Sequence, residues 1–152
     1  MSDIELYQKN ILEHSKQPLN FKVLDHYNHN SKGYNPLCGD KVEIFMNLEN
    51  EKVNDISFQG SGCAISMASA SILTKVLSKK TLNEANNIFN NFIKMIENKD
   101  SNFDQLTTEE KNLLLTFSEI KKFPMRSKCA TISWSTFNAA LNNINFDTEA
   151  KS

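Results

Sequence analysis

From Lys41 to Leu48 the chain alternates, with apolar Val42, Ile44, Met46 and Leu48 set between Lys41, Glu43, Phe45 and Asn47. A period of two marks a strand with one buried face. A polar Glu49-Asn50-Glu51 turn follows, and Ile56 and Phe58 then alternate with Asp55, Ser57 and Gln59, which predicts an antiparallel hairpin. Elsewhere the period is helical. A Ser2-x-x-Glu5 capping box opens a first helix carrying Ile4, Tyr7, Ile11 and Leu12, and Pro18 stops it. Past Gly60 and Gly62, Ile65, Ala68, Ser69, Ile72, Leu73 and Val76 define a helix with Cys63 at its start. A Thr81-x-x-Glu84 box begins another, with Ala85, Ile88, Phe89, Phe92, Ile93 and Ile96 on one stripe. A further helix runs from about Thr107 through Glu110, Leu113, Leu114, Phe117 and Ile120. Phe123-Pro124 interrupts, and a last helix sets Cys129, Ile132, Thr136, Phe137, Ala140 and Leu141 on one face. Residues 19–37 show neither period and are expected to be an irregular loop. The expected fold is α+β: a small antiparallel sheet of about three strands packed against helices, in a single domain over residues 1–152.

Composition narrows the function. The chain has 152 residues, 39% of them hydrophobic, and a formal net charge of −1, so it can bury one core but offers no broad basic field for nucleic acid. No apolar run approaches the roughly 20 residues of a membrane span. The opening Met1-Ser2-Asp3-Ile4-Glu5 is too polar and acidic for a signal peptide, and the expected location is the cytoplasm. There, reducing conditions disfavour disulfides, and three cysteines cannot all pair within one chain, which leaves metal binding or thiol chemistry.

The three cysteines stand in distinctive contexts: Asn35-Pro36-Leu37-Cys38-Gly39-Asp40, Gly60-Ser61-Gly62-Cys63-Ala64 and Arg126-Ser127-Lys128-Cys129-Ala130. Three thiolates with the Asp40 carboxylate make a four-donor set of the kind zinc takes, the carboxylate being the hard, weaker member and so the expected point of exchange. Cys63 and Cys129 both fall near predicted helix N-termini, where the dipole favours a thiolate. Gly39 lets the loop curl so that Cys38 and Asp40 face one ion. Lys41, Arg126 and Lys128 would balance a site of net charge about −2 with zinc bound. His14, His26 and His29 are expected on solvated surface, His14 on the polar side of the first helix.

In these motifs the chain resembles the IscU/NifU-N family of iron–sulfur assembly proteins, and within it the SufU-type zinc-containing sulfur acceptors. The likeness also takes in the Tyr7 to Asn20 stretch with His14 and Pro18, the run from Gly60 to Ser71, and Arg126 to Trp134. Scaffold-type members have a His before the last cysteine and a Leu-Pro-Pro-Val-Lys segment; here stand Lys128 and Phe123-Pro124-Met125-Arg126. The SufU type has a lysine there and an extra stretch between the second and third cysteines, which Thr81 to Lys122 supplies. The resemblance implies a SufE/NifU-like fold and a Zn²⁺ site of Cys38, Asp40, Cys63 and Cys129. It also implies Cys38 as acceptor of persulfide sulfur from a pyridoxal-phosphate cysteine desulfurase of the SufS type, with delivery to a downstream iron–sulfur scaffold or to apo-proteins. Two alternatives compete: a scaffold carrying a transient iron–sulfur cluster on the same residues, and a cysteine hydrolase using Cys63 or Cys129 with a histidine base.

Overall fold

The computed structural model describes residues 2–142 and 147–149, so the expectation of one domain over 1–152 reaches past the described residues. Helix α1, Asp3–Lys16, is capped by Ser2, whose hydroxyl accepts the Glu5 N–H. Strands β1 (His29–Asn35), β2 (Asp40–Glu49) and β3 (Lys52–Ser61) follow, then α2 (Ala64–Leu77), α3 (Leu82–Ile96), α4 (Thr108–Leu115), a 3₁₀ segment (Thr116–Lys122), α5 (Pro124–Leu141) and the short β4 (Asp147–Glu149). The sheet order is β3-β2-β1-β4. The expected α+β architecture is borne out: three antiparallel strands, extended by β4 running parallel to β1.

The β2–β3 hairpin closes through Asn50 and Glu51 with φ of 53° and 58°, the two left-handed residues of a type I′ turn. Thr81 and Thr107 head full reciprocal capping boxes with Glu84 and Glu110. Helix α2 lies at the centre, with eleven of its residues buried. Its small serines let neighbouring helices approach: Ser69 donates to the Ala130 carbonyl and accepts from the Trp134 indole N–H at 3.1 Å. Trp134 also stacks on Phe92, centroids 4.2 Å apart, and Phe92 meets Phe117 edge-on. These aromatic contacts join α3, the 3₁₀ segment and α5 into one core.

Four expectations are corrected. Residues 19–37 are not all loop, because His29–Asn35 is a strand. Its inward positions are Ser31, Gly33 and Asn35, all buried, not large apolar residues, so the period of two carries no hydrophobic signal. α5 packs so closely there that a Cβ on Gly33 would run into the Thr136 hydroxyl. The helix expected from Thr107 to Ile120 ends at Leu115 and tightens into 3₁₀, where Thr116 returns a hydrogen bond to Asn112 and receives one from buried Asn10. Ile4 and Leu12 do not face the core: they are 60% and 54% exposed.

His14 is the fourth. It is half-buried, and its Nδ1 lies 2.7 Å from the Ser71 hydroxyl on α2. Burial, followed by the nearby Lys75, pushes its pKa below the ordinary 6.5, against an opposing pull from Glu13. The folded state therefore binds fewer protons at His14 than the unfolded chain, and stability rises with pH. The contribution is complete above about pH 6.5 and is lost as pH falls below it. Denaturant midpoints between pH 5 and 7.5 are expected to fall less steeply in His14→Asn than in the parent chain.

Among the described residues no helix is long and apolar enough to cross a membrane.

Candidate metal centre

The site lies at one end of the β1–β2 hairpin. Asn35 and Asp40 are register partners, and the residues between them form a turn closed by the Gly39 N–H donating to the Asn35 carbonyl at 2.8 Å. Gly39 has φ of 72°, a left-handed angle that other residues adopt at a cost. Cys38 sits on this turn and is exposed.

Asp40 begins β2 pointing inward and is 1% exposed. Its Oδ1 accepts the Cys63 N–H at 3.0 Å and the Ser66 hydroxyl at 3.2 Å, and its Oδ2 accepts the Asn35 amide at 3.0 Å. Three donors thus satisfy a carboxylate whose burial would otherwise be costly. Cys63 is the N-cap of α2 and makes no side-chain cap bond of its own; the carboxylate reaches across from the strand to meet its free N–H. Gly62 makes room for this contact, since a Cβ there would meet Asp40 Oδ1 and Ser66 Oγ.

Cys129 is 2% exposed and lies in the second turn of α5, past Ser127, whose N–H already bonds the Phe123 carbonyl. Proximity to a helix N-terminus, expected for both later cysteines, therefore holds for Cys63 and fails for Cys129. The Cys129 sulfur is 3.4 Å from that of Cys38 and 3.7 Å from the Asn35 amide nitrogen.

One ligand atom each from Cys38, Asp40 and Cys129 lie within 4.8 Å of one another. Tetrahedral zinc with bonds of about 2.3 Å spaces its sulfur ligands by about 3.8 Å, so this separation suits one ion. The Cys63 sulfur lies outside that triad yet beside Cys129, whose pKa it helps raise. Burial is the largest cause of that rise, followed by Cys38, Asp40 and Cys63. A buried thiol crowded by two thiols and a carboxylate is poorly placed to ionise alone; a cation among them reverses the balance. The donor chemistry therefore fits a soft divalent metal.

The donors are held unequally by the protein itself. Asp40 is the most firmly held donor, whereas Cys38 rides on an exposed turn. Around Cys38 and Cys129, Leu37, Phe123 and Met125 are 53%, 52% and 61% exposed. The Arg126 guanidinium lies 5.6 Å over the Phe123 ring, Lys128 is half-buried and Lys41 exposed. Among the described residues the histidines are not part of the cluster. Sequence reasoning passed over Asn35, Ser66 and Gly62. Asn35 and Gly62 stood inside the quoted motifs, but nothing in their spacing told that they serve Asp40.

The description "NifU-like N terminal domain" matches residues 6–130. The chain is 36% identical over 129 residues to "Zinc-dependent sulfurtransferase SufU" of Bacillus subtilis (strain 168), covering 85% of this chain and 84% of that one. It is 33% identical over 136 residues to "Iron-sulfur cluster assembly scaffold protein IscU" of Streptococcus pyogenes serotype M1, covering 90% and 82%. Among solved structures, a putative iron–sulfur cluster assembly scaffold protein for the SUF system from Fervidobacterium islandicum AW-1 superposes with a TM-score of 0.79 at 28% identity, covering 90% of this chain and 97% of that one. The N-terminal part of a NifU-like protein from Brucella abortus shares the fold, with a TM-score of 0.80 at 18% identity over 94% of this chain and 97% of that one. The motifs around Cys38, Cys63 and Cys129, the fold that gathers them and these matches lead to one conclusion: the chain belongs to the NifU-like N-terminal domain family.

Proposed function

We propose that the protein is a zinc-holding sulfur acceptor in iron–sulfur cluster assembly, working in the cytoplasm with a pyridoxal-phosphate cysteine desulfurase. Cys38 carries this reading: it is exposed on a turn while its sulfur stays 3.4 Å from buried Cys129. A sulfur so placed can be approached by another protein's persulfide without opening the core. The Cys38 thiolate attacks the outer sulfur of that persulfide, a new S–S bond forms, and the old one breaks with its electron pair leaving on the partner's cysteine. Cys38 ends as a persulfide, and no outside oxidant or reductant is consumed.

Zinc held by Cys38, Asp40, Cys63 and Cys129 would keep the acceptor sulfur deprotonated and shielded until a partner arrives. Asp40, fixed by Asn35, Ser66 and the Cys63 N–H, anchors the site while the Cys38 turn moves. The exposed Leu37, Phe123 and Met125 with Lys41, Arg126 and Lys128 suit a partner surface with an apolar centre and acidic margin. The sulfur is then passed to a downstream iron–sulfur scaffold or to apo-proteins. Likeness to the Bacillus protein named a zinc-dependent sulfurtransferase supports this reading.

A scaffold role for the same donors is the second reading, supported by likeness to the Streptococcus protein named a scaffold. Metal analysis of protein purified without added metal, then anaerobic incubation with ferrous iron and sulfide, separates the two. The sulfur acceptor keeps one zinc per chain, stays colourless and accelerates a cysteine desulfurase. A coloured, transferable cluster without that acceleration establishes the scaffold instead.

A further inference from the structure

Asn35 is fully buried, with 0% exposure, at a place where an apolar residue would be cheaper to bury. Its amide is spent on the site. The nitrogen donates to Asp40 Oδ2 at 3.0 Å and reaches the Cys129 sulfur at 3.7 Å, while the oxygen accepts the Leu37 N–H at 3.3 Å. An amide nitrogen has two hydrogens, one for each of the two buried donors. The opposite orientation would set the amide oxygen against a carboxylate and a sulfur, so the network fixes which way the group points.

We propose that Asn35 is the positioning residue of the metal centre, holding Asp40 and Cys129 in place while folding the turn that leaves Cys38 free to depart. This rests on the metal-holding reading above. The hydrogen bond to Oδ2 restricts the carboxylate's rotation and leaves its remaining lone pairs in fixed directions. The contact with Cys129 draws charge from that sulfur and pins it, whereas among the described residues no N–H is aimed at the Cys38 sulfur. The bond to Leu37 N–H shapes the turn one residue before Cys38. Asn35 thus makes the donors unequal: Asp40 and Cys129 take its two N–H groups, and the exposed Cys38 takes neither.

Cobalt(II) exchanged for zinc reads this geometry directly, because thiolate-to-cobalt absorption and ligand-field bands report which sulfurs are bound and how regular the shell is. Asn35→Asp keeps the shape but turns a donor into an acceptor facing Asp40; Asn35→Ser is a second, smaller variant that guards against misfolding. Both are expected to bind the metal roughly 10–100-fold more weakly in competition with a chelator, the usual effect of removing such a supporting group, to release it faster, and to alter the cobalt bands. In desulfurase assays the concentration of acceptor giving half-maximal stimulation stays the same while maximal turnover falls. Asn10→Ala is the control, since it removes another buried amide bond, 2.6 Å to Thr116, away from the site. It is expected to lower thermal stability and leave the cobalt spectrum unchanged. Parental release rates and spectra in both Asn35 variants would overturn the proposal, as would an equal loosening of metal in Asn10→Ala. A parent protein with no thiolate-to-cobalt absorption would sink the metal-holding reading itself, and this inference with it.

Discussion

Cys38→Ala is expected to abolish stimulation of a cysteine desulfurase and to leave the fold standing. The side chain is exposed, so its removal opens no cavity and costs little packing. The acceptor sulfur is lost outright, and no neighbour can take its place: Cys129 is 2% exposed, and Cys63 is held at the start of α2. The loss should therefore approach the level of desulfurase alone rather than a partial decline. Mass spectrometry of the parent chain after turnover should show one added sulfur atom on the peptide containing Cys38, and none in the variant. Retained stimulation, or added sulfur on Cys63 or Cys129 instead, would show that the wrong thiol has been identified. Cys129→Ala is a poorer test, because Cys129 also belongs to the core cluster and its removal disturbs both site and packing.

Removing the metal should produce the second large effect. The cluster joins the β1–β2 turn to α5, and Asp40 ties the turn to the start of α2. A ligand present at about 1,000 times its dissociation constant stabilises the folded state by about 4 kcal/mol. For a chain of this size each kcal/mol moves the melting temperature by about 2–4 °C. Chelation is then expected to lower the melting temperature by about 10 °C, with recovery on adding zinc. The chain should remain folded without it, because most of the core, with Trp134, Phe92, Phe117, Phe58 and Phe137 fully buried, is built from apolar side chains that are not donors. A melting temperature indifferent to chelator and to added zinc would mean that the cysteines and Asp40 do not hold a metal in the folded protein.

The hairpin, the capped helices and the cysteine contexts were legible because each leaves a local mark: a period, a capping pair, a glycine beside a cysteine. β1 left none. Its inward residues are small and polar because α5 packs hard against them, and that closeness is a property of the distant Thr136, not of residues 29–35. The place of Cys129 along α5 differs from the expected one at the helix N-terminus. Pro124 correctly marked the helix start, but the cysteine's place in the second turn gives it an environment of packing rather than of free N–H groups. Asp40 read as the weak donor on ligand chemistry alone. Its three partners come from β1, from the α2 start and from the side chain of Ser66, and only the assembled fold reveals that they secure it. Ile4 and Leu12 obey helical spacing and still face outward, since spacing fixes a stripe without saying which neighbour covers its edges.

Cys38 and Cys129 are 91 positions apart, and the second of them belongs to α5, which reaches β1 through the cleft that Gly33 leaves open. During synthesis the hairpin can form early, but the complete set of donors exists only once that last helix has docked. On the metal-holding reading proposed above, loading would be a late event in the life of the chain, and a copy that carries its ion would be one in which α5 has already docked.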